Sequence, residues 1–263
     1  MLAPATIPEE YKAWNAAHGA PHGRHIRLRR LKEKLFSADQ LCRALGPFSI
    51  QLNNTTREFE YPWAFATGQI RPGMRVLEIG GGLAGFQFAL GTAGCRVLNV
   101  DPGMKSETVD WRSDAKSIAR LNSLFKTTVE VRPTTIENAK LADNEFDRIY
   151  CISVIEHLSA EAAASVMAHA FRSLKPGGKF ILTVDLSLNI APFTSRQSNE
   201  YGVNQRIPDL LQGQPWTLVE GHRNELFGFP EFDSDKILSH LESYYVGRYP
   251  SLAQCFVLQK RKP

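Results

Sequence analysis

Short apolar runs alternate with stretches of helical period along most of this chain. Val76-Leu77-Glu78-Ile79, Val97-Leu98-Asn99-Val100, residues 128–131, residues 148–152 and Phe180-Ile181-Leu182-Thr183-Val184 each have the length of a strand. Between them, residues 114–125 put Ile118, Leu121 and Phe125 on one helical face. Residues 159–174 form an alanine-rich helix that Lys175-Pro176-Gly177-Gly178 stops. Strand, helix and strand in that succession predict parallel strands joined by crossover helices, which is a Rossmann-like, doubly wound α/β fold. Residues 235–243 read as a late helix and residues 252–259 as the last strand. Two stretches compete for the sixth strand, residues 216–220 and residues 244–246, and the second is preferred.

Residues 1–70 precede this pattern and read as a helical extension. Pro8-Glu9-Glu10 opens a helix to His18, with proline at its start and acids in its first turn. Residues 24–45 follow after a glycine break, with Leu28, Leu31 and Leu35 at helical spacing and six basic residues within 24–34. This face reads as the solvated side of an amphipathic helix rather than a phosphate-binding surface. His18, His22 and His25 lack a cysteine or carboxylate at ligand spacing and read as surface loop residues. Residues 55–65, which include Tyr61 and Trp63, are the densest in aromatic side chains. Arg71-Pro72-Gly73 then turns the chain into the first strand.

Composition adds bounds. At 263 residues and 43% apolar content the chain can bury one sizeable core, and a formal charge of +4 is mild for that length. Cys42, Cys95, Cys151 and Cys255 show no metal spacing and read as free thiols of a reducing compartment. No apolar run approaches the roughly 20 residues that span a bilayer. A soluble, cytoplasmic protein without a membrane partner is expected.

The chemistry concentrates after the first strand. In Glu78-Ile79-Gly80-Gly81-Gly82-Leu83-Ala84-Gly85 the glycines permit a tight turn and a close ligand approach, and the following helix presents unpaired N–H groups. Asp101, at the tip of the second strand, is placed to accept hydrogen bonds from two ribose hydroxyls. Gly80, Gly82 and Gly85 also satisfy the dinucleotide fingerprint. Glu78 weighs against that reading, because a carboxylate beside the turn repels a pyrophosphate and suits a ligand with a cationic end.

These residues resemble the first motif of the class I S-adenosylmethionine-dependent methyltransferases, an acidic residue followed by glycines at alternate positions. The resemblance runs from about Gly73 to Asp185. It takes in Asp143-Asn144-Glu145-Phe146-Asp147-Arg148-Ile149, Ser153-Val154-Ile155-Glu156-His157-Leu158 and Leu174-Lys175-Pro176-Gly177-Gly178-Lys179. Ala84 stands where many members have a third glycine. The resemblance implies a mostly parallel seven-stranded sheet with one antiparallel strand, the last, and S-adenosylmethionine as cofactor. Glu78, Gly80, Gly81 and Gly82 would lie against its methionine end, Asp101 on its ribose, Pro102 beside its adenine, and Ser153 at the neighbouring strand tip. The family's adenine-binding loop falls at residues 133–138. Thr135 occupies the position of a common aspartate, and the N–H of Ile136 would serve a ring nitrogen. The aromatic helix would cap the cofactor, with Tyr61 and Trp63 as pocket walls or simply as rings that seal the extension onto the core.

For chemistry, His157 is the leading candidate for a general base, with Glu156 beside it and Asp185 at the tip of the fifth strand. Glu156 and His157 are also similar to a metal-binding pair of small-RNA 2′-O-methyltransferases and quinone-pathway O-methyltransferases. Ser153 replaces a further acidic ligand of the small-RNA enzymes, and two adjacent ligands make a poor magnesium site, so no metal is expected. Residues 186–232 begin with a long polar stretch that reads as a substrate lid. The expected activity is O-methylation of a small-molecule or saccharide hydroxyl. RNA 2′-O-methylation, a non-catalytic nucleoside-binding protein and an NAD-dependent oxidoreductase are the alternatives.

Overall fold

The computed structural model describes residues 1–20, 35–49, 54–103 and 112–261. The basic stretch at 24–34, with His22, His25, Leu28 and Leu31, lies outside the described residues. The described part of the extension contains α1 (Glu9–His18), α2 (Ala38–Leu45) and α3 (Arg57–Gly68). The helix expected over residues 24–45 is interrupted, because Ser37 starts α2 afresh. Its hydroxyl accepts from the N–H of Gln40, whose side chain accepts from the N–H of Ser37.

The alternating part follows as β1 (Arg75–Ile79), α4 (Gly85–Thr92), β2 (Arg96–Val100), α5 (Ala115–Phe125), β3 (Glu130–Arg132), β4 (Phe146–Ile152), α6 (Ala160–Ser173) and β5 (Leu174–Ser187). A short helix α7 (Ile207–Leu210), β6 (Trp216–Glu220), α8 (Ser234–Ser239) and β7 (Ser251–Lys260) complete the chain. The strands form a seven-stranded sheet in the order β3-β2-β1-β4-β5-β7-β6. The β1, β2, β3, β4 and β5 pairings are parallel, and β7 runs antiparallel to both β5 and β6. Alternate residues of each strand enter opposite cores. Leu77, Ile149, Phe180 and Leu182 face Val166, Met167 and Ala170 of α6, whereas Val76, Tyr150 and Ile181 join Phe59 and Trp63 of α3 and Phe86 and Phe88 of α4. Burial on both faces is why these strands read as continuous apolar runs.

The sixth strand is Trp216–Glu220, not the preferred residues 244–246. It registers on the last strand through Trp216↔Lys260 and Leu218↔Leu258, and Trp216 packs its ring against Phe171 and Phe180. Tyr244 and Tyr245 instead pair with the first residues of the chain, by a bridge between Pro4 and Tyr244 and a bond from the Tyr245 N–H to Ala3 O. The late helix is also shorter than expected, ending at Ser239 before a 3₁₀ turn over Leu241–Ser243. The chain diverges between β1, which leads to β2, and β4, which leads to β5. In an open α/β sheet the ligand crevice lies at that divergence, beyond the carboxyl ends of the strands.

Candidate active site

Two cavities meet at this point, and Arg57 lines both. The first, about 220 Å³, lies over the glycine loop and is walled by Glu78, Gly80, Gly81, Gly82, Tyr61 and Ser153 among others. The loop has no room for larger residues. A Cβ at Gly80 would come within 2.6 Å of Val154 Cγ2, and one at Gly81 within 2.6 Å of Glu78 Cδ. Gly80 also has φ +69°, in the region that glycine occupies freely. Asn99, on β2, clamps the turn: its Oδ1 accepts from the N–H of Gly81 at 3.2 Å, and its Nδ2 donates to Gly82 O at 2.9 Å. Asp101 takes the N–H of Gly82 on Oδ2 at 3.0 Å and that of Gly103 on Oδ1 at 2.8 Å. Each oxygen keeps a further lone pair for a ligand hydroxyl.

Glu78 supplies the test of what fits here. Its side chain is 2% exposed and its Oε2 has no hydrogen-bond partner. Burial, reinforced by the charge of Asp101, pushes the carboxyl up to about 8. A cationic amino group placed in this cavity would partner that orphaned oxygen and favour its ionised form, whereas an anionic pyrophosphate would find no cationic partner there and would oppose ionisation of Glu78. The donor set therefore fits the methionine end of S-adenosylmethionine.

The second cavity, about 250 Å³, opens beside the tips of β4 and β5. Arg57, Glu156, His157 and Asp185 meet in its floor. The Arg57 guanidinium ion-pairs with Glu60 one turn along α3, and lies 3.9 Å from Asp185 Oδ1. Burial opposes its charge, but the carboxylates of Glu60 and Asp185 outweigh burial and hold it protonated. Ser153 joins the same cluster. Its backbone sits at φ +48°, uncommon for a serine, and its hydroxyl donates to Glu60 Oε1 at 3.0 Å and lies 3.5 Å from Asp185 Oδ1. Glu156, in the 3₁₀ turn Ile155–His157, is 7% exposed, and neither of its oxygens has a hydrogen-bond partner. Burial pushes it up to about 7 against the pull of Arg57. Burial likewise takes Asp185 up to about 8 against Arg57, with Glu156 adding to the rise. His157 is exposed at the cleft, and partial desolvation lowers its imidazole below the usual value while Asp185 opposes the shift.

The cleft is roofed by residues 188–206. Asn204 fastens that segment, accepting from the N–H of Ser187 at 2.7 Å and donating to Ser187 O and Ala191 O. Tyr201, Val203 and Tyr249 give the opening a partly exposed apolar rim.

Of the residues singled out in the sequence, Glu78, Gly80, Gly81, Gly82, Ser153 and Tyr61 come together in the first cavity, and Glu156, His157 and Asp185 in the second. Trp63 lines neither. It is buried, and its Nε1–H donates to Glu220 Oε1 on β6 at 3.1 Å. Pro102 and Thr135 are exposed and Ile136 is buried in the core, so the adenine-side positions stand outside both cavities. Arg57 and Glu60 carried no sequence signal beyond their place in the aromatic stretch, and Asn99 reads in sequence as one more strand residue. Among the described residues no group of three or more His, Cys, Asp or Glu side chains is arranged to hold a metal ion.

Residues 77–182 match the family model described as a methyltransferase domain. The chain is 24% identical over 190 residues to the cyclopropane-fatty-acyl-phospholipid synthase of Escherichia coli (strain K12), covering 70% of this chain and 45% of that protein. It is 34% identical over 108 residues to the ubiquinone biosynthesis O-methyltransferase of Hahella chejuensis, covering 40% of this chain and 41% of the relative. The chain thus spans under half the length of these curated relatives. Among solved structures, the Burkholderia thailandensis 1,6-didemethyltoxoflavin-N1-methyltransferase with bound 1,6-didemethyltoxoflavin and S-adenosylhomocysteine superposes with a TM-score of 0.53. The identity is 15%, over 99% of this chain and 95% of that one. The matched domain begins in β1 and ends in β5, and so contains the glycine loop, Asp101 and the Ser153–His157 corner; this segment of the chain is a methyltransferase domain.

Proposed function

We propose that this chain transfers a methyl group from S-adenosylmethionine to a small-molecule nucleophile held in the cleft at the tips of β4 and β5. The observation that carries this reading is the pair of adjoining cavities: one lined by glycines and an unpartnered buried carboxyl, the other floored by ionisable groups beneath an apolar rim. The cofactor, when bound, supplies an electrophilic methyl group on a sulfonium that is already a good leaving centre. The chain's own residues orient and exclude water. Glu78 and the glycine loop hold a cationic amino acid end, Asp101 accepts ribose hydroxyls, and Tyr61 walls the cavity from α3. The extension of residues 1–70 serves as the cofactor cap through α3, and residues 186–232 serve as the substrate lid, of which Ile190, Asn199 and residues 201–204 line the cleft. At about 250 Å³, the cleft lies below the roughly 300–1,000 Å³ of sites for drug-sized ligands, which favours a modest substrate.

A hydroxyl acceptor, as expected from the sequence, would need a base. Glu156 and Asp185 are the buried groups poised to take its proton, and His157 at the opening would pass that proton to solvent. The cleft floor offers the phosphates of an RNA no cation beyond Arg57, which is already paired with Glu60. Glu78 in the glycine cavity likewise offers no cationic partner to the pyrophosphate of a dinucleotide.

Calorimetric titration with S-adenosylhomocysteine, and with NADH in a parallel experiment, tests the reading. Micromolar binding of the first alone is expected. His157→Ala should leave that affinity in place while lowering turnover, and binding of NADH alone would overturn the assignment.

A further inference from the structure

We infer that the acceptor is an amine, carried into the cleft as its ammonium form, bound at Glu156 and Asp185, and stripped of its proton by Glu156 before it is methylated. This rests on the methyltransferase reading and names the substrate class of the same site.

The charge inventory of the floor comes first. Four ionisable side chains are gathered around Ser153: Arg57, Glu60, Asp185 and Glu156. The guanidinium of Arg57 is committed to Glu60 and lies near Asp185. When ionised, the three carboxyls exceed the one guanidinium by two charges, an excess that a bound cation would halve. Glu156 is the member without a side-chain partner. It is more than nine-tenths buried, its oxygens meet no partner at full hydrogen-bond geometry, with only the backbone N–H groups of Glu156 and Asp185 near them, and it lines the cleft. A buried carboxylate short of full hydrogen bonds is costly, and a ligand N–H is the group that satisfies it. A hydroxyl carries one donor and no charge, whereas an ammonium carries several donors and the charge the floor lacks.

The chemistry follows from the same groups. An ammonium nitrogen has no lone pair. One N–H bond must break, its proton forming an O–H bond on Glu156 while the bonding pair stays on nitrogen. The nitrogen then bonds the methyl carbon, and the carbon–sulfur pair leaves on sulfur as a thioether, so the positive charge passes from the sulfonium to the methylated nitrogen. The groups that face Glu156 set its readiness for this step: Arg57 and Glu60 on α3, Asp185 on β5, and Cys151 on β4. His157, the next residue, faces Asp185. The rim at Tyr201, Val203 and Tyr249, where the two tyrosine rings lie 5.3 Å apart, suits an aromatic or alkyl body behind the amine.

Calorimetry on the full chain, in the presence of S-adenosylhomocysteine, decides it with three matched pairs: benzylamine and benzyl alcohol, 2-phenylethylamine and 2-phenylethanol, hexylamine and hexanol. Each amine should bind at least about tenfold tighter than its alcohol near neutral pH. Amine affinity should rise between about pH 6 and about pH 8.5, as Glu156 and Asp185 ionise while the amine stays charged. Glu156→Gln should remove the amine preference while S-adenosylhomocysteine still binds, which also shows that the variant folds. Alcohols binding as tightly as amines, no binding by any of the six, or an unchanged preference in Glu156→Gln would overturn the inference. If S-adenosylhomocysteine itself fails to bind, the methyltransferase reading falls, and the amine preference is then read without it.

Discussion

At Glu78 a carboxyl has lost its water and gained no full set of partners, and under the proposed function that loss is a binding device. Its raised affinity for a proton comes from burial and from Asp101, so at neutral pH the empty cavity holds it largely protonated. An arriving ammonium favours the ionised form. Binding of S-adenosylhomocysteine near pH 7 should therefore release up to about one proton. The release is read as a dependence of the calorimetric enthalpy on the ionisation enthalpy of the buffer. Glu78→Gln should abolish it and weaken binding by about tenfold to a hundredfold. A wild-type enthalpy indifferent to the buffer would remove Glu78 from contact with the amino group. Glu78 and its glycines were legible in the sequence because the motif is contiguous. Arg57 and Glu60 were not, since their meaning depends on Ser153, which lies 93 positions from Glu60.

At the scale of the element, α3 links the extension to both cavities. Its buried face carries the cation and carboxylate of the cleft floor, and Tyr61 stacks on Phe86 of α4 at 5.7 Å between ring centres. Its far end is tied to the edge strand, where Trp63 Nε1 and Thr67 Oγ1 both donate to Glu220 Oε1. Trp63 is thus an anchor. Trp63→Phe should lower the unfolding free energy by about 1–3 kcal/mol, the loss of a hydrogen bond to a charged group plus some packing. Urea denaturation measures it, and S-adenosylhomocysteine affinity should stay constant. Lost affinity with unchanged stability would make Trp63 a pocket wall instead. The edge strand itself was misjudged in sequence for a related reason. Trp216–Glu220 pairs on one side only, its residues are half-buried, and Val219 faces solvent, so its pattern is weaker than that of the central strands.

For the molecule as a whole, three buried carboxyls, Glu78, Glu156 and Asp185, have folded values of about 8, 7 and 8. In the unfolded chain each returns to the ordinary carboxyl range, so between roughly pH 4 and pH 8 the folded state binds more protons than the unfolded state. Their stabilising contribution is complete at the acid end of that window and is lost as pH rises through it. His18, His157 and the Met1 amino group, all lowered by burial, act the other way around their own ordinary values. Because the three carboxyls are displaced furthest, the ligand-free protein should melt at a lower temperature near pH 8.5 than near pH 6, and S-adenosylhomocysteine should narrow the gap. A higher melting temperature at the alkaline end would contradict the burial of these groups. Among the described residues no helix is long and apolar enough to cross a membrane. Local pattern determined the parallel strands, the glycine turn and the acidic residue before it, because each depends on neighbours within one strand–turn–helix unit, while the antiparallel last strand followed from the family resemblance. Only the tertiary structure decided that α3 delivers Arg57 and Glu60 to the tips of β4 and β5, that Trp63 points away from the cofactor side, and that Glu156 is left buried and unpaired. Those outcomes depend on contacts between segments far apart in the chain, where charge, burial and hydrogen bonding are set by what packs alongside rather than by what comes next.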